Sequence, residues 1–88
     1  MFTLITNQHV RHSDGFEVKG AGRFALSYSD KAFQFEIPCE YSRSGELFVC
    51  CIRRSAFSRA ARLMITSVLI ERVRAALAFM GTTLEIEE

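Results

Sequence analysis

Two histidines and two cysteines are spaced in ways that metal sites use. His9 and His12 form an H-x-x-H pair, which supplies at most half of a zinc site. On a short loop after a first strand, where this pair is predicted, histidines are more often solvated. Cys50 and Cys51 are adjacent in a predicted strand, so their thiols point to opposite faces and cannot converge on one ion. The sequence therefore predicts no metal and no cofactor.

Glu36 and Glu40 are the carboxylates whose spacing most nearly resembles a catalytic pair. They project from one face of a predicted strand, but four extended residues separate them by roughly 13 Å. Glycosidase carboxylates lie only about 5 to 9.5 Å apart. A nucleophilic site would need a Cys or Ser beside a His and an acid, and both histidines lie within the first twelve residues without a nucleophile motif. These residues predict that the protein is not an enzyme.

Length and composition predict one folded domain over residues 1–88. The chain is 49% hydrophobic and 11% aromatic, which is typical of a small globular domain. Its three cysteines are an odd number, and two are adjacent, which favours free thiols in a reducing cytoplasm. We expect no signal peptide and no membrane span, because the most apolar window, residues 63–70, is too short to cross a bilayer. The net charge of +1 gives no long-range attraction to nucleic acid.

Alternation of apolar and polar residues predicts four strands between residues 16 and 53. They cover residues 16–19, 23–29, 32–41 and 47–53. Pro38 cannot donate a hydrogen bond to a ladder, so we expect a bulge there or the end of the strand before it. The "GAG" at residues 20–22 joins two of these strands as a turn and has no helix behind it to hold a phosphate.

The lengths of the three connections agree on which face is apolar. A two-residue turn at 30–31 would pair Leu26 with Phe35, although Asp-Lys is a poor hairpin turn and a longer loop would also fit. Turns at 20–22 and 42–45 would pair Val18 with Phe24 and Ile37 with Cys50. A slip of one residue would reverse a whole strand, so this agreement predicts an antiparallel meander with one apolar face.

The segment after residue 65 predicts a helix that covers this face. Thr66 or Ser67 can serve as the N-cap, and Gly81 can end the helix in a left-handed conformation. An apolar stripe recurs at helical spacing, at Leu69, Val73, Leu77 and Met80. Residues 82–87 then alternate as a strand does. Residues 2–6 are a further strand candidate, and residues 54–65 fit a loop and a short helix equally well.

These elements predict an α+β fold. An antiparallel β-meander is covered on one face by a single C-terminal amphipathic helix. A terminal β-strand follows the helix and joins the sheet, because a sheet with one apolar face needs a cover and a disordered tail seldom alternates.

An arginine cluster leaves one alternative function open. Four arginines lie within ten residues, at Arg53, Arg54, Arg59 and Arg62. Only Phe57 interleaves them, and no helix-turn-helix or RNA-binding motif accompanies them, so a solvated flank is the simpler interpretation. A small nucleic-acid-binding module that uses this cluster is the alternative.

The last part of the chain carries a family resemblance. "IERVRAALAFMG" (residues 70–81), followed directly by "TTLEIEE", resembles small bacterial immunity proteins of contact-dependent growth inhibition and polymorphic-toxin systems. The resemblance covers residues 66–88, and over residues 16–53 it is one of architecture only. It implies a cytoplasmic protein that binds and neutralises one cognate toxin domain, frequently a nuclease such as a tRNase, with no membrane and no direct nucleic-acid contact.

Charge suggests which residues would meet such a toxin. A nuclease with a basic cleft would attract carboxylates, which speed association. The candidates are Glu36 and Glu40, a second acidic group of Glu85, Glu87 and Glu88, and Arg23 on the outer face of the meander. In the opposite arrangement, an acidic loop of the toxin would bind to the arginine cluster, Arg53, Arg54, Arg59 and Arg62.

Overall fold

The computed structural model of the protein describes residues 1–45, 47–60 and 65–88. In chain order its elements are β1 (Phe2–Thr6), β2 (His9–His12), β3 (Glu17–Gly20), β4 (Ala25–Ser29), β5 (Gln34–Pro38), β6 (Glu40–Ser44), β7 (Leu47–Arg53), α1 (Arg54–Ala60), α2 (Thr66–Phe79) and β8 (Thr82–Glu87). No helix in these residues is long and apolar enough to cross a bilayer.

The first five strands form an antiparallel meander in the order β1-β2-β3-β4-β5. The main helix, α2, packs on it, and a terminal strand follows, so the predicted α+β class is confirmed. The strand candidate at residues 2–6 is confirmed as β1. His9 and His12 were expected on a loop but lie in β2, where positions three apart point to opposite faces of the strand.

The hairpin between β4 and β5 has a longer loop than the predicted two residues. Leu26 pairs with Ile37 and Tyr28 with Phe35, so residues 30–33 form the connection. The Asp30 carboxylate accepts hydrogen bonds from the backbone N–H groups of Ala32 and Phe33, both at 2.8 Å, and holds the longer turn. The register shifts by two residues, and an even shift leaves the apolar face unchanged.

The connection between β3 and β4 is also longer than predicted. Val18 pairs with Tyr28 instead of Phe24, and the chain turns through Gly22, whose φ is +83°. Phe24 was expected on the apolar face, but it lies in this connection and is 66% exposed. The larger loop therefore takes one aromatic side chain out of the core.

The chain changes sheets after Pro38. β5 includes Pro38, which pairs with Ala25, and ends there, one residue later than the expected end before the proline. The Cys39 N–H donates to the Phe24 carbonyl at 2.9 Å. β6 then belongs to a second sheet in the order β6-β7-β8. The single strand predicted over residues 32–41 is therefore wrong, and Cys50 pairs with Tyr41 rather than with Ile37.

Helix α2 provides the apolar cover that the sheets require. It begins after Ile65 with no side-chain cap, so neither Thr66 nor Ser67 acts as the expected N-cap. Its buried residues are Leu69, Ile70, Val73, Ala76 and Leu77, which join one core with the inward side chains of both sheets. Of the two alternatives for residues 54–65, a short helix is correct for 54–60, where Phe57 is fully buried; residues 61–64 lie outside the described residues.

A polar network ties α2 to the meander. The fully buried Tyr28 donates its hydroxyl hydrogen to Asp30 at 2.7 Å and accepts a hydrogen bond from Arg72 Nη1 at 2.7 Å. The same Arg72 nitrogen lies 3.6 Å from the Asp30 carboxylate, and its guanidinium lies 4.8 Å from the centre of the Phe16 ring. Burial, followed by the Asp30 hydrogen bond, raises the pKa of Tyr28. The network positions the helix because it satisfies polar groups that burial would otherwise leave unpaired.

Residues 82–87 form strand β8 and are not a tail, but β8 joins the second sheet and not the meander that it was expected to join. It pairs in parallel with β7, with Cys50 opposite Leu84 and Ile52 opposite Ile86. Leu84 is only 7% exposed and belongs to the core. Helices α1 and α2 lie between β7 and β8 in the chain, and a parallel pair needs a crossover connection of this kind.

Gly81 separates α2 from β8 and provides a test of backbone strain. Its φ is +83°, and no neighbouring atom lies within 4 Å of an added Cβ. We expect Gly81→Ala to lower the free energy of unfolding by about 1 kcal/mol, through the left-handed conformation alone. Urea denaturation measures this loss. Gly81→Asn is the matched control and should lose less, because Asn tolerates this conformation; equal losses would contradict the explanation.

Candidate functional site

A groove lies where β5 meets the outer face of the second sheet and the first turns of α1. Its volume is about 810 Å³. We call it the acidic groove and define it by its lining residues: Phe24, Phe35, Glu36, Pro38, Cys39, Glu40, Cys51, Arg53, Ser55, Ala56, Arg59 and Glu87.

Strand pairing explains why carboxylates from distant parts of the chain meet there. Glu40 lies directly opposite Cys51, and Cys51 lies directly opposite Glu85. In the same way, Arg53 lies opposite Glu87. Residues directly opposite each other share a face, and neighbouring strands are about 4.8 Å apart. Glu40 and Glu85 thus flank Cys51 on one face of the sheet.

Alternation along β7 determines that this face is the outward one. Cys50 and Ile52 are buried against the core, with Leu84 beside them on β8. Cys51 and Arg53 alternate with Cys50 and Ile52 along β7, so they point to the opposite face. The apolar residues of β7 and β8 fix which charged residues are displayed.

The groove brings together three of the acidic residues predicted as contacts. Glu36, Glu40 and Glu87 line it, and Glu85 lies beside it next to Cys51. Glu36 and Glu40 were predicted on one strand face, but they belong to different sheets, because the chain crosses over after Pro38.

The other two predicted contact residues lie apart from this set. Arg54 Nε binds the Glu88 carboxylate at 3.0 Å, so that carboxylate is already paired. Arg23 lines a different groove, described below.

The arginine cluster does not form a separate basic patch among the described residues. Arg53 and Arg59 line the acidic groove together with the three glutamates. Arg54 is paired with Glu88, and Arg62 lies outside the described residues. Arg53, Arg54 and Arg59 therefore share their surfaces with carboxylates.

Cys51 lines the groove, although from the sequence it was considered only as a metal ligand and not as a contact residue. Its thiol Sγ lies 3.8 Å from Glu85 Oε2. Burial, together with the charges of Glu85 and Glu87, raises the pKa of Cys51, so the group stays a thiol at neutral pH and is a weak nucleophile. Its alternation with the apolar Cys50 and Ile52 is the signal that could have identified it.

The histidines of the H-x-x-H pair have other partners. His9 Nε2 lies 2.7 Å from the Glu17 carboxylate, and the His12 ring stacks on Phe16 at 4.7 Å between centroids. Neither lines the acidic groove. Within residues 1–45, 47–60 and 65–88, no three His, Cys, Asp or Glu side chains are grouped to hold a metal ion.

A second groove, of about 590 Å³, lies where the β3–β4 connection faces β6 and β7. Phe24, Tyr41 and Phe48 line it and are 66%, 44% and 54% exposed. We call it the aromatic groove; its remaining lining residues are Asn7, Gln8, Gly22, Arg23, Ser42, Leu77, Met80 and Thr82. Phe24 lines both grooves, so the two are adjacent.

Comparison with known proteins gives no family for this geometry. No protein-family model, curated protein or solved structure matches the chain. Function must therefore be inferred from the two grooves and the charges around them.

Proposed function

We propose that the protein is an immunity protein that binds and neutralises a cognate toxin domain in the cytoplasm. The observation that carries this proposal is the convergence of Glu36, Glu40 and Glu87 on one groove, with Glu85 beside it. Residues 36–40 and 85–87 are far apart in sequence, and only folding places them on a common surface. Such a surface is suited to a partner with a basic cleft, as nuclease toxins have.

The acidic character is local to this surface. Three carboxylates and two guanidinium groups line the groove, and Glu85 adds a further carboxylate, although the whole chain carries a net charge of +1. A basic partner would therefore be attracted to this face, and the exposed Arg53 and Arg59 would select for an acidic residue at matching positions. Complementary charges of both signs raise the association rate and exclude wrong partners.

The groove is better suited to binding than to catalysis. Cys51 is held as a thiol, and the two histidines contact Glu17 and Phe16 elsewhere on the molecule. Nucleophilic catalysis needs an activated nucleophile, and burial together with the neighbouring Glu85 carboxylate raises the pKa of Cys51 instead of lowering it. The protein is accordingly proposed to act by occupying a surface of the toxin domain, and not as an enzyme.

The alternative, a nucleic-acid-binding module, gains no support from the described arginines. A phosphate backbone that approached Arg53 or Arg59 would also meet Glu36, Glu40 and Glu87. Arg54 would first have to release Glu88. Non-specific nucleic-acid binding depends on several cations without competing carboxylates.

We expect Glu36→Lys and Glu40→Lys each to weaken toxin binding by about tenfold or more, because each reverses a charge that faces a basic partner. The probe is the C-terminal domain encoded by the gene immediately upstream. Growth of cells that co-express that domain measures protection. Surface plasmon resonance of the purified pair measures the association rate and its dependence on salt. Glu71→Lys is the matched control, since Glu71 is an exposed glutamate on α2 that lines neither groove.

Three outcomes would contradict the proposal at different levels. If the wild-type protein neither restores growth nor binds the upstream domain, the immunity function is wrong. If it protects but both reversals protect equally well with unchanged thermal melting, the acidic groove is not the interface. Salt-sensitive binding of tRNA that is lost in Arg53→Ala and Arg54→Ala would instead support the nucleic-acid alternative.

A further inference from the structure

The aromatic groove exists because α2 does not cover the whole inward face of the second sheet. Phe48 lies on the same face of β7 as the buried Cys50 and Ile52, yet it is 54% exposed. Tyr41, directly opposite Cys50, is 44% exposed. Leu77 and Met80 mark the end of the helical cover, and both line the groove. The apolar face of the sheet continues past the helix into solvent.

A cluster of exposed aromatic side chains on a small domain indicates an interaction surface. Exposed apolar patches of this kind mark protein–protein contacts more often than inert surface. Aromatic and arginine side chains also contribute most of the binding energy in typical interfaces. Phe24, Tyr41 and Phe48 supply the aromatic part, and Asn7 and Gln8 supply polar groups at the rim.

The charge of the aromatic groove is opposite to that of its neighbour. Arg23 lines it, and the Arg43 guanidinium lies 5.3 Å from the centre of the Phe48 ring. Among the residues that the structure describes, no carboxylate lines this groove. Across Phe24, the acidic groove presents Glu36 and Glu40. The two adjacent surfaces therefore select partner segments of opposite charge.

We propose that the aromatic groove is a second docking site, and that it accepts a protein segment in which an apolar side chain lies next to a carboxylate. The apolar side chain packs between Phe24, Tyr41 and Phe48. The carboxylate pairs with Arg23. This inference rests on the proposed function: the toxin domain spans both grooves. Its basic surface lies in the acidic groove, and its apolar, acidic segment lies in the aromatic groove.

A protein segment fits these residues better than a nucleic acid does. Proteins also bind single-stranded nucleic acids by stacking bases on exposed aromatic side chains. Such binding also needs a continuous basic groove along which the phosphate backbone can lie. Here the path beyond Phe24 leads to Glu36 and Glu40, which repel phosphates.

The first experiment needs no toxin. The full chain is used to select from a phage-displayed library of random peptides, with counter-selection on Phe48→Ala. We expect enriched peptides to combine an aromatic or aliphatic residue with a neighbouring Asp or Glu, and their affinity to fall about tenfold in Arg23→Glu. Enrichment of basic peptides, no Phe48-dependent enrichment, or Phe48-dependent binding of a single-stranded oligothymidylate would each overturn the proposal.

The second experiment uses the upstream toxin domain. Phe48→Ala and Arg23→Glu are each expected to raise the Kd about tenfold, whereas Leu47→Ala and Arg74→Glu should leave it unchanged. Leu47 is 63% exposed on the same strand and lines neither groove, and Arg74 is an exposed arginine on α2. Thermal melting of each variant checks that the fold is intact.

The two experiments separate this inference from the immunity function. If Glu36→Lys weakens the complex but Phe48→Ala and Arg23→Glu do not, the second docking site is wrong and the immunity function stands. If the toxin domain does not bind but the peptides do, the site stands and the immunity function is wrong. If the domain binds and all four variants, Glu36→Lys, Glu40→Lys, Phe48→Ala and Arg23→Glu, behave as wild type, both groove assignments are wrong.

Discussion

Removal of residues 82–88 is expected to unfold the protein at room temperature. Strand β8 contributes the buried Leu84 and pairs along the whole length of Phe48 to Arg53. Loss of that side chain's burial costs about 1.5–3 kcal/mol, and each net hydrogen bond of the ladder adds about 0.5–1.5 kcal/mol. Removal also exposes Cys50 and Ile52 on the inward face. The total approaches the stability of a domain this size, on the order of 4–13 kcal/mol.

Far-ultraviolet circular dichroism with thermal melting measures this effect. The matched control removes Glu88 alone, which breaks its 3.0 Å ion pair with Arg54 but leaves β8 whole. Glu88 is exposed, and surface ion pairs contribute little, so this control should melt close to wild type. A truncated protein that melts like the control would show that β8 is dispensable.

Asp30→Ala is expected to lower the free energy of unfolding by about 2–4 kcal/mol. The substitution removes the acceptor of the buried Tyr28 hydroxyl, the partner of Arg72, and the acceptor of the turn N–H groups of Ala32 and Phe33. Polar groups left unpaired in a largely buried site carry the main cost. Urea denaturation measures the change, and Tyr28→Phe serves as the comparison, because it removes one hydroxyl but leaves the turn intact.

The effect of Asp30 should depend on pH in a defined direction. Partial burial raises the pKa of this carboxyl, but the hydrogen bonds from Tyr28, Ala32 and Phe33, together with Arg72, hold the pKa below its usual value. A carboxyl whose pKa is lowered by folding stabilises the folded state above its unfolded-state pKa. That stability is lost as the pH falls through the folded pKa.

Asp30→Asn isolates this charge, because Glu17 also has a lowered pKa, with the His9 hydrogen bond as the largest cause, and contributes its own acid dependence. The difference in unfolding free energy between wild type and Asp30→Asn should be constant near neutral pH and shrink below about pH 4. A difference that is independent of pH down to acid unfolding would rule out the charge of Asp30 as a source of stability.

Local patterns were sufficient to predict the elements that decide the fold class. Alternation identified β3, β4 and β5, a helical stripe identified α2, and Gly81 marked the end of that helix. Alternation missed β2, and it assigned residues 47–53 to the meander although they form β7 of the second sheet. The register was less predictable, because alternation defines a strand's face only to within an even shift. The Asp30 side chain, by accepting two backbone hydrogen bonds, selected a loop of four residues instead of two.

The candidate site was predicted in composition but not in arrangement. Glu36, Glu40, Glu85 and Glu87 were selected from charge alone. The structure places them on three strands of two sheets, with Glu36, Glu40 and Glu87 lining one groove and Glu85 beside it. Arg23 was grouped with these carboxylates, yet it lies in the aromatic groove. Phe24 was assigned to the core, but it is exposed, because the loop that contains it is longer than predicted.

The sequence by itself determined which side chains of β3, β5 and α2 form their apolar faces, since period-two and helical spacing are local properties of the chain. Only the tertiary structure decided that the chain would divide into two sheets at Pro38 and that β8 would pair in parallel with β7. Both depend on contacts between residues far apart in sequence: Cys39 with Phe24, and Cys51 with Glu85. For that reason the charges could be read from the sequence, whereas the two adjacent grooves of opposite charge could not.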